Sequence, residues 1–304
     1  MPLATRAASQ VGTGALVEAW NRAYADYLVD VSRDARGLAD HVTAGSIDLG
    51  RSLVVLDRGV PVGLALLGVR ATDAGRAAGE RGWVGGFGLA PSHRGRGLAA
   101  PLADALLDLA RGSGVGHVRL EVLTPNVAAR RTYERVGFRV DQRLLVLGGR
   151  LAAPGDRPAR STRSARVVPF DAARWAAGLA ALERLSGGPS QPWGREAAHV
   201  TPRPGDVIAL VGPDAAPTAA LLVRPRPSAS AASAAAPVDL SVLTGAALDE
   251  DAAGAAVSAL AACYPGRACR VVNEPATSPL AAAFGRAGLA EVLDQHEMSV
   301  LLRP

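Results

Sequence analysis

The stretch from Gly82 to Leu147 constrains the fold of this chain more than any other. Gly82 to Ala90 is an apolar run that reads as a strand. It enters a loop, Pro91-Ser-His-Arg-Gly-Arg-Gly97, with no apolar period. Leu98, Leu102, Ala105, Leu106 and Leu109 then share one face at helical spacing, which predicts a helix over Gly97–Ala110. A strand follows over Val118–Leu123, a second helix over Val127–Arg135, and a further strand over Phe138–Leu147. Upstream, Leu16, Ala19, Trp20, Ala23 and Tyr27 mark a helix within Ala15–Leu28. Ser52–Leu56 and Pro61–Val69 flank Asp57-Arg58-Gly59, a hairpin signal. Early helices followed by β-β-β-α-β-α-β imply an α/β (α+β) domain with a mixed sheet covered on both faces.

The loop has a clear chemical use. The start of a helix carries unpaired N–H groups and partial positive charge. Gly95 and Gly97 remove side chains that would block a ligand, so the turn can form a nest for a pyrophosphate. Arg94 and Arg96 add formal charge, and Leu98 and Ala99 open the helix. A standard phosphate loop is excluded, because the chain contains no Lys; all 33 basic residues are Arg. The same absence excludes Schiff-base chemistry. Gly95-x-Gly97-x-x-Ala100 also fits the dinucleotide fingerprint, with Glu121 near the ribose-binding distance. That fingerprint follows its strand immediately, whereas Pro91 to Arg94 intervene here.

Arg94-x-x-Gly97-x-Ala99 resembles the Q/R-x-x-G-x-G/A signature of the GCN5-related N-acetyltransferases (the GNAT superfamily). There it cradles the pyrophosphate of acetyl-coenzyme A. A second segment, Asn126-x-x-Ala129-x-x-x-Tyr133-Glu134-x-x-Gly137-Phe138, matches a second signature of that family at every defined position. The order of the two, with one strand between them, extends the resemblance over most of residues 1–150. It implies acetyl-coenzyme A as cosubstrate, no metal, and direct transfer to an amine. Tyr133 is then the general acid for the departing thiolate. Glu121, in Leu120-Glu121-Val122-x-x-x-Asn126, is similar to the base of the ribosomal-protein N-terminal acetyltransferases, although a structural pairing with Arg119 or a neighbouring strand fits the sequence too. The resemblance implies backbone contacts to the coenzyme at Leu89 and Ala90, and contacts from Asn126, Ala129 and Arg130. Tyr24, Asp26, Tyr27 and Asp30 are candidates to line the amine side.

Asn126 also reads as a helix N-cap and Gly137 as a helix stop. Trp83 reads as core, and His93 as exposed beside the phosphate loop.

Residues 151–165, rich in Pro, Gly, Ser and Arg, read as a linker. They divide a catalytic domain at 1–150 from a second domain at 166–304. Arg224–Pro237 reads as a loop between strands. The second half repeats the ending of the first at a shift of 151: Arg119 meets Arg270, Tyr133 meets Phe284, and Gly137 meets Gly288. The implied arrangement is two tandem acetyltransferase-like domains, the second degenerate. Phe284 lacks an acidic hydroxyl. The segment matching the phosphate loop carries Asp249, Glu250 and Asp251, which repel phosphate.

With 28 acids the net charge is +5, but the Arg residues are scattered, so nucleic acid is not an expected partner. Cys263 and Cys269 make no disulfide framework. No His cluster has ligand spacing. No run reaches the roughly 18 apolar residues of a membrane span. A cytoplasmic monomer is expected. The acceptor is unspecified, and a non-catalytic acyl-coenzyme A sensor or a longer acyl donor fits the same sequence.

Overall fold

The computed structural model describes residues 3–71, 79–152, 163–185, 191–196, 199–213, 216–227 and 238–302. Asp57-Arg58-Gly59 turns as expected. Arg58 and Gly59 both take positive φ, and Asp57 pairs directly with Val60 across the two-residue loop. This hairpin joins β2 (Leu53–Asp57) to β3 (Val60–Ala71).

The first compact unit comprises residues 1–141 and 296–304. Its sheet runs β1 (Ala4–Ala7), β2, β3, β4 (Glu80–Leu89), β5 (Val115–Leu123), then the C-terminal part of β12 (Leu289–Leu301). The first four are antiparallel, and β4 and β5 are parallel. The alternation of β3 serves two cores. Leu64 and Leu66 join Leu16, Trp20 and Leu38 beneath α1 (Thr13–Ala23) and α2 (Ala35–Ala44). Ala65 and Leu67 join Leu102, Leu106, Leu120 and Phe138 on the side of α3 (Ala99–Gly112) and α4 (Val127–Arg135). In α1 the buried residues Leu16, Ala19, Trp20 and Ala23 recur at the spacing of one helical face. Asp34 caps α2 by accepting from the Gly37 amide at 2.7 Å.

The second unit comprises residues 142–295. Its sheet follows the order β6 (Arg139–Arg150), β11 (Ala268–Pro275), β10 (Val238–Ala247), β9 (Ala219–Pro227), β8 (Val207–Val211), β7 (Ala165–Pro169). Here β10 and β11 form the parallel pair. The helices are α5 (Ala172–Leu185), α6 (Glu250–Cys263) and α7 (Pro279–Arg286). From its first strand to its last helix this unit repeats the strand and helix order of the first, with one α-helix in place of α1 and α2 among the described residues.

The unit boundaries fall inside β6 and β12, not at 150 and 166 as composition suggests. Met298 and Leu302 lie in the first unit's core, and the Leu302 amide donates to Gly116. Leu144 to Arg150 of β6 ladder with β11 in the second unit. Most of the expected linker, residues 153–162, lies outside the described residues, as do residues 228–237 of the expected loop. β1 and α2 were not read individually from the sequence, and the first helix ends at Ala23, earlier than Leu28.

Candidate active site

The parallel ladder between β4 and β5 runs from Glu80↔Val115 to Trp83↔Arg119 and stops there. Beyond it the two strands separate. A bulge in β4 coincides with this point: Leu67 faces Val84 and Leu66 faces Gly86, so Gly85 is the extra residue. A Cβ at Gly85 would lie 2.6 Å from the Trp83 ring, so only glycine fits there. The freed Gly85 carbonyl meets His41 Nε2 at 2.7 Å.

β4 leads directly into the candidate phosphate loop. Gly95 and Gly97 have φ of 71° and 74°, the left-handed region that favours glycine. The helix begins at Ala99, two residues later than expected, with Leu98 at the N-cap and no side chain capping it. Its first amides therefore face outward for an anion. Arg94 is committed elsewhere. Its guanidinium donates to the carbonyls of Leu89 and Ala23 at 2.8 Å each and pairs with Asp26 at 2.8 Å. It ties the loop to the end of α1, whereas Arg96 is exposed. His93 is buried, not exposed as expected. It contacts Ser92 and, at 3.2 Å, Asp57.

Glu121 and Tyr133 stand on opposite faces of the sheet's helix layers. Arg119 and Glu121 alternate with Val118, Leu120 and Val122, which point into the α3/α4 core. Glu121 Oε2 accepts from Trp83 Nε1 at 2.6 Å, and Oε1 is buried with no hydrogen-bond partner. Burial pushes its carboxyl up from 4.5 to about 7; the Trp83 bond opposes the rise and the Glu297 charge adds to it. Arg119 pairs at 2.7 Å with Glu297, not Glu121. Trp83 packs against the α1/α2 core, as expected, and its indole N–H holds the polar contact to Glu121 as well.

Tyr133 is buried on α4, packed edge-on against Phe87 and Phe138 at 5.5 and 5.7 Å between ring centres. Among the described residues no group hydrogen-bonds its hydroxyl. Burial holds that hydroxyl well above its usual value of 10, so it stays protonated. Phe87 also links to the amine side: its amide donates to the Tyr24 hydroxyl at 3.0 Å. Burial pushes Tyr24 up to about 12. Tyr27 stacks edge-on against Tyr24 at 5.1 Å; burial pushes its hydroxyl up, and the Asn126 side chain opposes the rise. Asn126 caps α4 by accepting from the Ala129 amide at 3.2 Å. Arg130 pairs along the helix with Glu134 at 3.6 Å. Asp30 accepts from the Ser32 amide in a local turn. The Tyr24–Phe87 link and the Trp83–Glu121 bond were missed from sequence, since both join segments dozens of residues apart.

Among its described residues the second unit lacks these features. Asp249 caps α6 with its own carboxylate, and Asp249 and Asp251 pair with Arg163. The β10–β11 ladder stops at Val242↔Val271, and beyond it Arg195 fills the space. This guanidinium reaches the carbonyls of Gly245 on β10 and Val272 on β11, and it pairs with buried Glu274 at 2.6 Å. Phe284 is fully buried. Among the described residues no group of three or more His, Cys, Asp or Glu is placed to hold a metal.

Residues 11–138 match the model of the acetyltransferase (GNAT) family. The chain is 32% identical over 87 residues to N-alpha-acetyltransferase 30 of Schizosaccharomyces pombe, covering 29% of this chain and 56% of that protein. It is 44% identical over 50 residues to streptothricin acetyltransferase of Streptomyces lavendulae, covering 16% and 26%. The matches thus span a quarter to about half of those relatives' lengths. A GCN5-related N-acetyltransferase structure from Anabaena variabilis aligns over 99% of this chain and 73% of its own, with TM-score 0.62 and 13% identity. One from Sphaerobacter thermophilus aligns over 99% and 96%, with TM-score 0.58 and 16% identity. These structures share the fold.

Proposed function

We propose that residues 11–138, which match the model of the acetyltransferase (GNAT) family, form a working acetyltransferase, and that the chain transfers an acetyl group from acetyl-coenzyme A to a primary amine in its first unit. The observation that carries the reading is the opening between β4 and β5. One strand at its mouth leads to the glycine loop and the uncapped α3; the other bears Glu121.

The residues present fit the coenzyme. The outward amides of the loop and of Leu98 and Ala99 take the pyrophosphate, with Arg96 adding charge. The separated end of β4, at Leu89 and Ala90, offers backbone to the pantetheine arm. Arg94 contributes by fixing the loop, not by touching phosphate.

The reaction forms an amide bond and breaks the thioester. The amine must lose a proton, and the thiolate must gain one. Glu121, ionised above about pH 7, takes the amine proton, directly or through water. Tyr133, protonated at all working pH, donates to the thiolate as it leaves. Tyr24, Tyr27 and Phe87 border the same region with aromatic surface, which suits a cationic amine before it is deprotonated.

The second unit, plugged by Arg195 and carrying acids at its helix start, binds no coenzyme in this reading. The protein acts as a cytoplasmic monomer. No helix among the described residues is long and apolar enough to cross a membrane. The test is thiol release from acetyl-coenzyme A across a panel of small amines and peptide N-termini. Amine-dependent release supports the enzyme. Coenzyme binding without release by any acceptor contradicts it and leaves an acyl-coenzyme A sensor.

A further inference from the structure

Arg119 and Glu121 lie two residues apart on the same face of β5, so the guanidinium is the nearest fixed cation on that strand to the carboxyl. A buried Arg beside a carboxylate normally holds it ionised, well below neutral pH. Here the guanidinium is paired at 2.7 Å with Glu297, whose side chain is completely buried. Glu297 comes from the last strand, in a stretch that belongs to the first unit although nearly the whole second half precedes it.

We propose that Glu297 is a positioning residue of the first unit's active site, engaging Arg119 so that Glu121 remains free to accept a proton. The inference rests on the reading of Glu121 as base. The groups around Glu121 are Trp83 from β4, which donates to it; Arg119 from its own strand; and Glu297 from β12. His41 of α2 packs edge-on against Trp83 at 5.9 Å and contacts the Gly85 carbonyl. Tyr24 of α1 is protonated and neutral. Glu297 and Arg119 are thus the formal charges that act on the carboxyl, and they oppose each other.

The consequence is a pattern of signs. Glu297→Gln removes a negative charge and leaves less of the Arg119 charge offset, so Glu121 should titrate lower by about one pH unit or more. Arg119→Gln should move it higher. The double variant, with a neutral pair of similar size, should return it near the wild-type midpoint. Glu297→Asp keeps the charge and should hold the wild-type value.

The experiment is carboxyl ¹³C NMR titration of Glu121 in the full chain, wild type and these variants, beside the pH profile of kcat/KM. The expected result is the down, up and restored pattern in the NMR midpoint, with the rising limb of kcat/KM moving in step. A Glu121 midpoint unchanged in Glu297→Gln overturns the proposal, whatever the activity does. An NMR midpoint that shifts while the rate profile stays fixed overturns instead the role of Glu121 as base. The double variant removes the unpaired buried charge, so loss of folding in one single variant leaves the comparison with wild type intact.

Discussion

Glu121→Gln should make the protein more stable and less active at once. Gln has nearly the shape of Glu and retains an oxygen for the Trp83 N–H. The wild-type carboxyl titrates at about 7 in the fold against 4.5 unperturbed, mainly because it is buried. A raised carboxyl value contributes stability that is fully present below pH 4.5 and is lost as pH rises through 7. The displacement corresponds to about 3 kcal/mol. Between pH 4.5 and 8 the wild type should therefore lose about 3 kcal/mol more than the variant in urea unfolding. At pH 8 the variant's kcat/KM should fall by about 10²–10⁴, the usual worth of a general base, and the rising limb near pH 7 should vanish. Parallel stability curves for the two proteins would refute the burial argument. A rising limb that survives in the variant would refute the assignment of the base.

Other expectations follow from single contacts. Tyr133→Phe should lower kcat by about 10²–10⁴ with coenzyme affinity nearly unchanged, measured by steady-state rates and calorimetry; a rate equal to wild type removes Tyr133 from the chemistry. Tyr24→Phe removes the acceptor of the Phe87 amide and should cost about 1–3 kcal/mol in urea unfolding. Leu64→Ala empties a fully buried site beneath α1 and α2 and should cost about 2–5 kcal/mol by the same measurement.

The fold of the first unit was legible because its signals are local. The Asp57-Arg58-Gly59 turn, the Asn126 cap and the period of Leu98, Leu102, Ala105 and Leu106 each act within one element. The glycine loop was legible because its φ values demand glycine. Partnerships across the sheet were not. Arg94 reads as a phosphate ligand by spacing, yet α1 offers it a carbonyl and Asp26. Glu121 reads as a base, or as a carboxylate paired with Arg119 or a neighbouring strand; Trp83 of β4 is the residue that donates to it, and Glu297 from the far end of the chain takes Arg119. The unit boundaries were hidden for the same reason. A strand's membership is decided by which ladder and core receive it, as Met298 and Leu302 show, and composition carries no trace of that.

The most direct measurement is a calorimetric titration of the purified, coenzyme-free chain with acetyl-coenzyme A, repeated on Gly97→Glu. That substitution places bulk, a negative charge and a side chain at a φ of 74° in the nest. One site per chain in the wild type, abolished in the folded variant, is the expected result. No binding, two sites per chain, or a site that survives Gly97→Glu would contradict a single coenzyme site in the first unit.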